Sequence, residues 1–316
     1  MIITRRAWIG AAAGFAVGGG LAELEGQRRK RVIAHRGASS YAPEHTRAAY
    51  LLAIQQGADF VEQDVVLTRD AELVCLHDVT LERTTNVARV FPDRYTEVKG
   101  PDGPVRRWPA FDFTLAEIKQ LDAGSWFDPR FAGERVLTFQ EAIEIVNGKA
   151  GLFPEVKSPE LYRSRGVEPA LAVASALRRN GLDRSDTVIL QSFDEPTLRT
   201  LSRELPSLPR VFLMERTAAE RWLSPARLRE ASAFVTGIGP AKQIVEMRPD
   251  LVKWAHDAGL TVTPYTFRAG STGRFTSVRD EMRHFLFTLG VDAVFTDNPD
   301  QFPRPDDLSG AKSLQR

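Results

Sequence analysis

The sequence predicts an α/β fold, a TIM-type (β/α)8 barrel with a small insertion after the strand that carries His77. Three observations predict it. From Val32 onward, short apolar runs alternate with amphipathic stretches, the order expected of β/α units around a parallel sheet. Glycines stand where the amphipathic stretches should stop being helical. Polar and charged residues cluster at the ends of the apolar runs, where a barrel builds its active site and where burying them without partners would cost several kcal/mol each. Length alone, 316 residues, permits one barrel-sized domain or two smaller ones, so the architecture has to come from this pattern.

In chain order, residues 1–30 read as an export signal and linker. Residues 4–22 run basic, then apolar, then small, and Arg5-Arg6 fits a twin-arginine signal. The apolar run falls short of the ~20 residues that span a bilayer as a helix, and its glycines weaken it further. The basic run at 27–31 suits a twin-arginine signal better than a Sec signal, and no Cys follows it to take a lipid anchor. The mature chain is expected in the periplasm with no stable membrane span. Residues 31–303 then carry the barrel. Strands are expected at 32–35, 60–66, 73–77, 152–156, 188–191, 211–214, 234–238, 262–266 and 293–296. Helices are expected at 44–56, 137–146, 169–179, 196–204, 225–231, 245–258 and 279–289, with Gly57, Gly148, Gly181, Gly259 and Gly290 at helix ends.

Nine strands are one too many for eight β/α units. The second and third are separated only by a polar turn around Thr68-Arg69-Asp70-Ala71, too short for a helical crossover, so they form a hairpin or one strand is an extra. Residues 85–133 break the alternation, with one short helical piece at 115–121. Phe91, Trp108, Phe111, Phe113, Trp126, Phe127 and Phe131 give this stretch enough apolar surface to pack as an ordered insertion over one mouth of the barrel, where its aromatics could wall a pocket. The polar residues 304–316 read as a flexible tail.

Composition narrows the function. A hydrophobic content of 43% with 26% charged residues describes an ordinary folded domain. A net charge of +1 gives no field that would gather a polyanion, which leaves nucleic-acid binding without support. The single cysteine, Cys75, lies in an apolar run and reads as a buried thiol, so intramolecular disulfides and thiolate metal clusters are excluded.

Four clusters carry candidate chemistry: His35-Arg36-Gly37, Glu62-Gln63-Asp64, His77-Asp78 and Glu155-Val156-Lys157. Each alone has an ordinary structural explanation, such as a hydrogen-bonded histidine or a solvated strand face. Together they fit one task. Glu62 and Asp64 are two apart, so on a strand both carboxylates share a face, and Glu155 could meet them across a barrel mouth. Three converging carboxylates need a cation, and hard oxygen ligands favour Ca²⁺ or Mg²⁺. A zinc site from His35 and His77 is the weaker alternative, because those histidines serve better as proton carriers. Arg36 and Lys157 could hold a phosphate, and Gly37 would let backbone approach it.

In these clusters and their order, the chain resembles the glycerophosphodiester phosphodiesterase family from about Val32 to Pro303. The resemblance is carried by Ala34-His35-Arg36-Gly37-Ala38, Pro43-Glu44-His45-Thr46, Gly57-Ala58-Asp59, Glu62-Gln63-Asp64-Val65, His77-Asp78, Glu155-Val156-Lys157, Ser192-Phe193 and the run Asp292-Ala293-Val294-Phe295-Thr296-Asp297. The Pro-Glu-His-Thr and Glu-Gln-Asp forms, with Phe91-Pro92-Asp93-Arg94 and Asp112-Phe113-Thr114-Leu115, look like the periplasmic members. Two departures are His45 in place of a common Asn and Tyr265 where many members carry Trp. The resemblance implies that His35 and His77 are catalytic, that Glu62, Asp64 and Glu155 bind one divalent cation (Ca²⁺ favoured, Mg²⁺ the alternative), and that Arg36 and Lys157 hold phosphate. Phe193 and Tyr265 are expected to contact substrate. The implied reaction is hydrolysis of glycerophosphodiesters to sn-glycerol 3-phosphate and an alcohol by way of a cyclic phosphate. The rivals are a lysophospholipase D-like phosphodiesterase and a non-catalytic phosphodiester-binding protein.

Overall fold

A computed structural model describes residues 29–304. The expected export signal at the amino terminus and the expected flexible tail beyond Arg304 lie outside the described residues. Among the described residues there are eleven strands: β1 (Arg31–Ala34), β2 (Phe60–Leu67), β3 (Leu73–Cys75), β4 (Thr96–Gly100), β5 (Gly103–Arg107), β6 (Gly151–Val156), β7 (Leu190–Ser192), β8 (Arg210–Met214), β9 (Gly237–Pro240), β10 (Thr261–Val262) and β11 (Ala293–Thr296). Eight of them pair in parallel in the order β10-β9-β8-β7-β6-β2-β1-β11. Asp292 N–H donates to Val262 O and Phe295 N–H to Pro264 O, so the ring of eight is all but closed.

The surplus strand is β3, which pairs antiparallel with β2 in the register Val65↔Cys75 and Leu67↔Leu73. The five residues between them make a tight turn. Thr68 Oγ1 donates to Asp70 Oδ1 (2.6 Å) and accepts from Glu72 N–H (3.0 Å), and Ala71 takes a positive φ of 61°. Strand β2 is buried along its whole length, as a strand flanked on both sides by the sheet and covered on both faces should be.

The interior of the barrel is apolar at its middle. Ile33, Phe60, Phe153, Val211, Leu213, Ala293 and Phe295 pack there, with the Phe153 ring edge-on to Phe60 (5.9 Å) and Phe295 (5.0 Å). Outside the ring, helices bury apolar stripes against the strands; the helix Phe139–Val146 opens with a capping box from Thr138 and Glu141, and Asp194 caps Glu195–Glu204. The five glycines expected at helix ends all take φ between 68° and 84°, the left-handed conformation that terminates a helix. Cys75 is a buried free thiol whose pKa burial pushes up to about 12.

Several boundaries differ from expectation for local reasons. The seventh expected strand, at 234–238, begins only at Gly237, because Val235 N–H still closes the helix Pro225–Ala231 through Ala231 O. The segment at 262–266 pairs as a strand only over Thr261–Val262; Pro264 has no N–H to continue the ladder. The long helix at 245–258 is two, Lys242–Met247 and Asp250–Asp257, broken at Pro249. The helix at 279–289 becomes Val278–Arg283 followed by a π-turn, His284–Thr288. The β4–β5 hairpin was not foreseen, since its residues are exposed on both faces and show no alternation.

The insertion is ordered, and it packs beside the β2–β3 hairpin. Arg69 N–H donates to Phe113 O, Leu115 N–H to the Asp70 carboxylate (3.0 Å), and Trp108 Nε1 to Phe91 O (2.8 Å). Phe113, Ile118 and Leu121 are fully buried. Its middle is tied back to the segment that follows His77 through Glu82, which accepts from Arg107 (2.9 Å) and from Trp108 N–H (3.1 Å). Among the described residues, no helix is long and apolar enough to cross a membrane.

Candidate active site

The chain leaves β1 at Ala34 and turns sharply inward. Arg36 (φ 58°) and Gly37 (φ 87°) are both left-handed, and a Cβ at Gly37 would lie 2.8 Å from Ala49 backbone, so only glycine fits. His35 is thereby placed at the C-terminal mouth. Glu62 and Asp64 project from one face of β2, as their spacing predicts, and the register of β2 with β6 sets Asp64 opposite Glu155. His77 follows β3, Lys157 follows β6, Phe193 follows β7 and Tyr265 lies beyond β10. All nine expected site residues (His35, Arg36, Glu62, Asp64, His77, Glu155, Lys157, Phe193 and Tyr265) line one cleft of about 160 Å³, with Gln191 and Leu213 beside them. None of residues 85–133 lines it, so the insertion does not wall this cleft. A larger cavity, about 540 Å³, opens at the opposite end of the barrel between residues such as Ile33, Phe60, Thr236 and Thr261, far from these groups.

Each histidine is braced at Nδ1 by a carboxylate. His35 Nδ1 is 2.6 Å from Asp297 Oδ1, and Asp297 is also gripped by Arg268. His77 Nδ1 is 2.6 Å from Asp78 Oδ1, and Asp78 Oδ2 accepts from Arg83 Nε at 2.5 Å. Such a contact fixes the ring and leaves Nε2 as the nitrogen available to a bound molecule. Burial, aided by the nearby Arg36 charge and opposed by Asp297, lowers the pKa of His35 and favours its neutral, proton-accepting form. Burial alone would raise Asp297, but attraction to His35 and Arg268 outweighs it and holds the acid at about 2. The hydrogen bond from His77, with Arg83 in support, keeps Asp78 well below the usual carboxylate range. Asp297 was legible as part of a motif but not as a partner of His35; its position at the end of the last strand is the signal that could have assigned it.

The acidic end of the cleft is electrostatically tense. Glu62, Asp64 and Glu155 are all buried within one small volume. Burial, then repulsion from Asp64, pushes Glu62 well above the ordinary range. Burial also raises Glu155 to about 8, with Asp64 adding and Lys157 opposing. Asp64 stays ionised against its own burial because Lys157 (3.5 Å), His45 (2.9 Å) and Arg36 (3.1 Å) surround it. A hard divalent cation would relieve this repulsion, and the oxygen-rich donor set fits one. Ligand atoms of Glu62, Asp64 and His45 lie within 4.8 Å of one another, whereas Glu155 is turned toward Lys157 Nζ (3.0 Å). His45 was noted in the sequence only as a departure. It is buried, with φ 57°, between Asp64 and the Tyr50 hydroxyl (2.9 Å).

Two cations face the carboxylates. Arg36 donates its backbone N–H to Glu62 (2.8 Å) and Nη1 to Glu44 (3.2 Å), while its buried Nε lies near Asp64 without the alignment of a hydrogen bond. Lys157 lies 5.8 Å from the centre of the Phe193 ring, which in turn meets Tyr265 edge-on at 5.9 Å. Phe193 is partly exposed and forms the outer wall; the Tyr265 hydroxyl is tied to Met214 O (3.1 Å), so its ring faces the cleft rather than its hydroxyl. Two proton carriers, two fixed cations and a carboxylate nest around one small space can bind a phosphodiester and move protons at an attacking hydroxyl and at a departing oxygen.

Comparison with known proteins agrees with this geometry. The model of the Glycerophosphoryl diester phosphodiesterase family matches residues 35–301. A glycerophosphodiester phosphodiesterase of Haemophilus influenzae is 30% identical, with 89% of this chain and 90% of that protein aligned. One from Bacillus subtilis is 34% identical, over 85% and 84%. Among solved structures, a glycerophosphodiester phosphodiesterase from Agrobacterium tumefaciens superposes with a TM-score of 0.66 at 30% identity, covering 87% of this chain and 99% of that one. An Oleispira antarctica phosphodiesterase in complex with the product sn-glycerol-3-phosphate gives 0.67 at 27% identity, covering 90% and 97%.

Proposed function

The chain belongs to the glycerophosphoryl diester phosphodiesterase family, and from that premise we propose that it is an exported, metal-dependent enzyme that hydrolyses glycerophosphodiesters to sn-glycerol 3-phosphate and an alcohol, using His35 and His77 as its acid/base pair. The observation that carries this reading is the pair of histidines, each braced by its own aspartate, on a cleft that also presents Arg36 and Lys157.

In this reading Arg36 and Lys157 hold the phosphate, Arg36 through a planar fork and Lys157 as a point charge. Glu62, Asp64 and Glu155 would hold one divalent cation, Ca²⁺ in preference to Mg²⁺, with His45 fixing Asp64. When bound, that cation supplies positive charge for the phosphate oxygens and a point of attachment for glycerol hydroxyls. One histidine accepts the proton of the glycerol 2-hydroxyl as that oxygen bonds to phosphorus. The other donates a proton to the alkoxy oxygen whose bond to phosphorus breaks. The resulting five-membered cyclic phosphate is opened by water, with the proton transfers reversed, leaving phosphate on the 3-oxygen. Phe193 and Tyr265 line the side of the cleft that borders the neighbouring groove of Glu195, Glu215 and Trp222, through which the alcohol would depart.

The small cleft and the absence of the insertion's aromatics from its wall weigh against a lysophospholipid acyl chain. A binding protein would need the two cations but not two braced histidines. Release of glycerol 3-phosphate from glycerophosphocholine and of choline with lysophosphatidic acid from lysophosphatidylcholine, with Ca²⁺ and after chelation, separates these readings. Cation-dependent turnover of the first substrate is expected; turnover of the lysolipid alone, or binding without turnover, would displace the proposal.

A further inference from the structure

Arg83 belongs to neither the histidine pair nor the phosphate-binding cations, yet it touches a partner of each. Its Nε donates to Asp78 Oδ2 (2.5 Å), the aspartate that braces His77. Its two terminal nitrogens straddle Glu44, Nη2 to Oε1 at 2.6 Å and Nη1 to Oε2 at 3.0 Å. Glu44 in turn accepts from Arg36 Nη1 at 3.2 and 3.3 Å. The result is an unbroken chain, His77–Asp78–Arg83–Glu44–Arg36, in which one guanidinium ties the proton carrier to the phosphate-binding arginine.

The geometry requires an arginine. A planar fork presents Nε to Asp78 and its two terminal nitrogens side by side to Glu44, a bidentate geometry that the single point charge of an ammonium does not reproduce. Glu44 is mostly buried, and although burial opposes its ionisation, the hydrogen bonds from Arg83 and the charge of Arg36 hold it ionised with a pKa of about 2. Arg83 itself is partly exposed, at 40% of its side-chain surface, so it can be replaced without emptying the core.

Resting on the two-histidine reading above, we infer that Arg83 is a positioning residue that sets His77 and Arg36 in register with each other. Its two arms make separable contributions. The Asp78 arm aims His77 and acts on kcat; the Glu44 arm holds Arg36 over the phosphate and acts on KM.

A double-mutant cycle on the full chain with glycerophosphocholine tests this. Arg83→Met should lower kcat by about 10-fold to 100-fold, the usual cost of losing a group that orients a reacting one, and should also raise KM. In an Asp78→Asn background Arg83→Met should leave kcat unchanged further while still raising KM. In a Glu44→Gln background it should leave KM unchanged further while still lowering kcat. Arg83→Lys should restore one parameter more than the other. If Arg83→Met does not fold, Arg83→Gln completes the same cycle. Wild-type kcat and KM in the Arg83 variant, or equal losses in every background together with a lowered melting temperature, would overturn the inference. A wild-type chain that fails to release glycerol 3-phosphate would instead overturn the reading on which it rests.

Discussion

In chelator, this protein's stability should fall as pH rises through neutrality. Glu155 has an unfolded-state pKa of 4.5 and a folded-state pKa raised to about 8 by burial and by Asp64. A raised folded pKa means that the folded chain holds a proton the unfolded chain has lost, so its contribution is complete below 4.5 and disappears as pH climbs through about 8. Glu62 is shifted in the same direction. Buried His35 and His45 have lowered pKa values and act oppositely, but only below the ordinary histidine value of 6.5, above which their contribution is constant. The window from pH 6.5 to 8 therefore isolates the carboxylates. At about 1.4 kcal/mol per pH unit for one proton, Glu155 alone should cost about 2 kcal/mol across it. A melting temperature lower by roughly 3–4 °C is expected for a domain of this size. Saturating Ca²⁺ should flatten the profile, because a bound cation stabilises the ionised carboxylates. Differential scanning calorimetry in chelator and in Ca²⁺ reads both curves. Equal melting temperatures at pH 6.5 and 8 in chelator, or an undiminished slope in Glu155→Gln, would refute the reasoning.

Three further outcomes follow from the same structure. His35→Ala and His77→Ala should each cut kcat by roughly 10²–10⁴-fold while calorimetry shows Ca²⁺ affinity retained, since each removes a proton carrier and no ligand. Asp297→Asn should lower kcat about 10-fold to 100-fold with little change in KM, because it removes the charge that orients His35 and supports its protonated form; steady-state kinetics that show a KM effect alone would count against that role. Phe113→Ala should cost about 3–5 kcal/mol in denaturant titration by hollowing the insertion's core, yet leave KM near wild type, because the insertion packs on the β2–β3 hairpin and does not line the cleft.

Much of this architecture was legible because the barrel repeats one rule. Apolar runs such as 293–296 and helical stretches such as 169–179 and 225–231 are bounded by residues whose local chemistry dictates the boundary, and they appear where expected. The surplus strand was legible as well, since no crossover fits between Leu67 and Leu73. Elements governed by tertiary context were not. The β4–β5 hairpin has no buried face to write a pattern, and the strand after Val262 is stopped by Pro264 and completed by lone backbone bonds to β11. At the site, residue type and strand position were enough to bring His35, Glu62, Asp64, His77 and Glu155 to one mouth. The groups that brace them were harder to see. Asp297 is 262 residues from His35, and Arg83 reaches Glu44 across 39, so neither pairing has a local signature. Composition placed aromatics in the insertion but could not say which surface they would bury; Trp126, Phe127 and Phe131 pack on one another, and none of the insertion's aromatics lines the cleft.

In the proposed reaction the glycerol 2-hydroxyl is the attacking group, placed between the two histidines. It is tested by comparing kcat for glycerophosphocholine with that for the analogue lacking only this hydroxyl, in the Ca²⁺-loaded wild-type protein, with products followed by ³¹P NMR. The account predicts that glycerophosphocholine yields glycerol 3-phosphate and that the deoxy analogue is not cleaved, although it still binds as a competitive inhibitor through Arg36 and Lys157. Cleavage of the analogue at a rate near that of glycerophosphocholine would mean that water attacks phosphorus directly, and would contradict it.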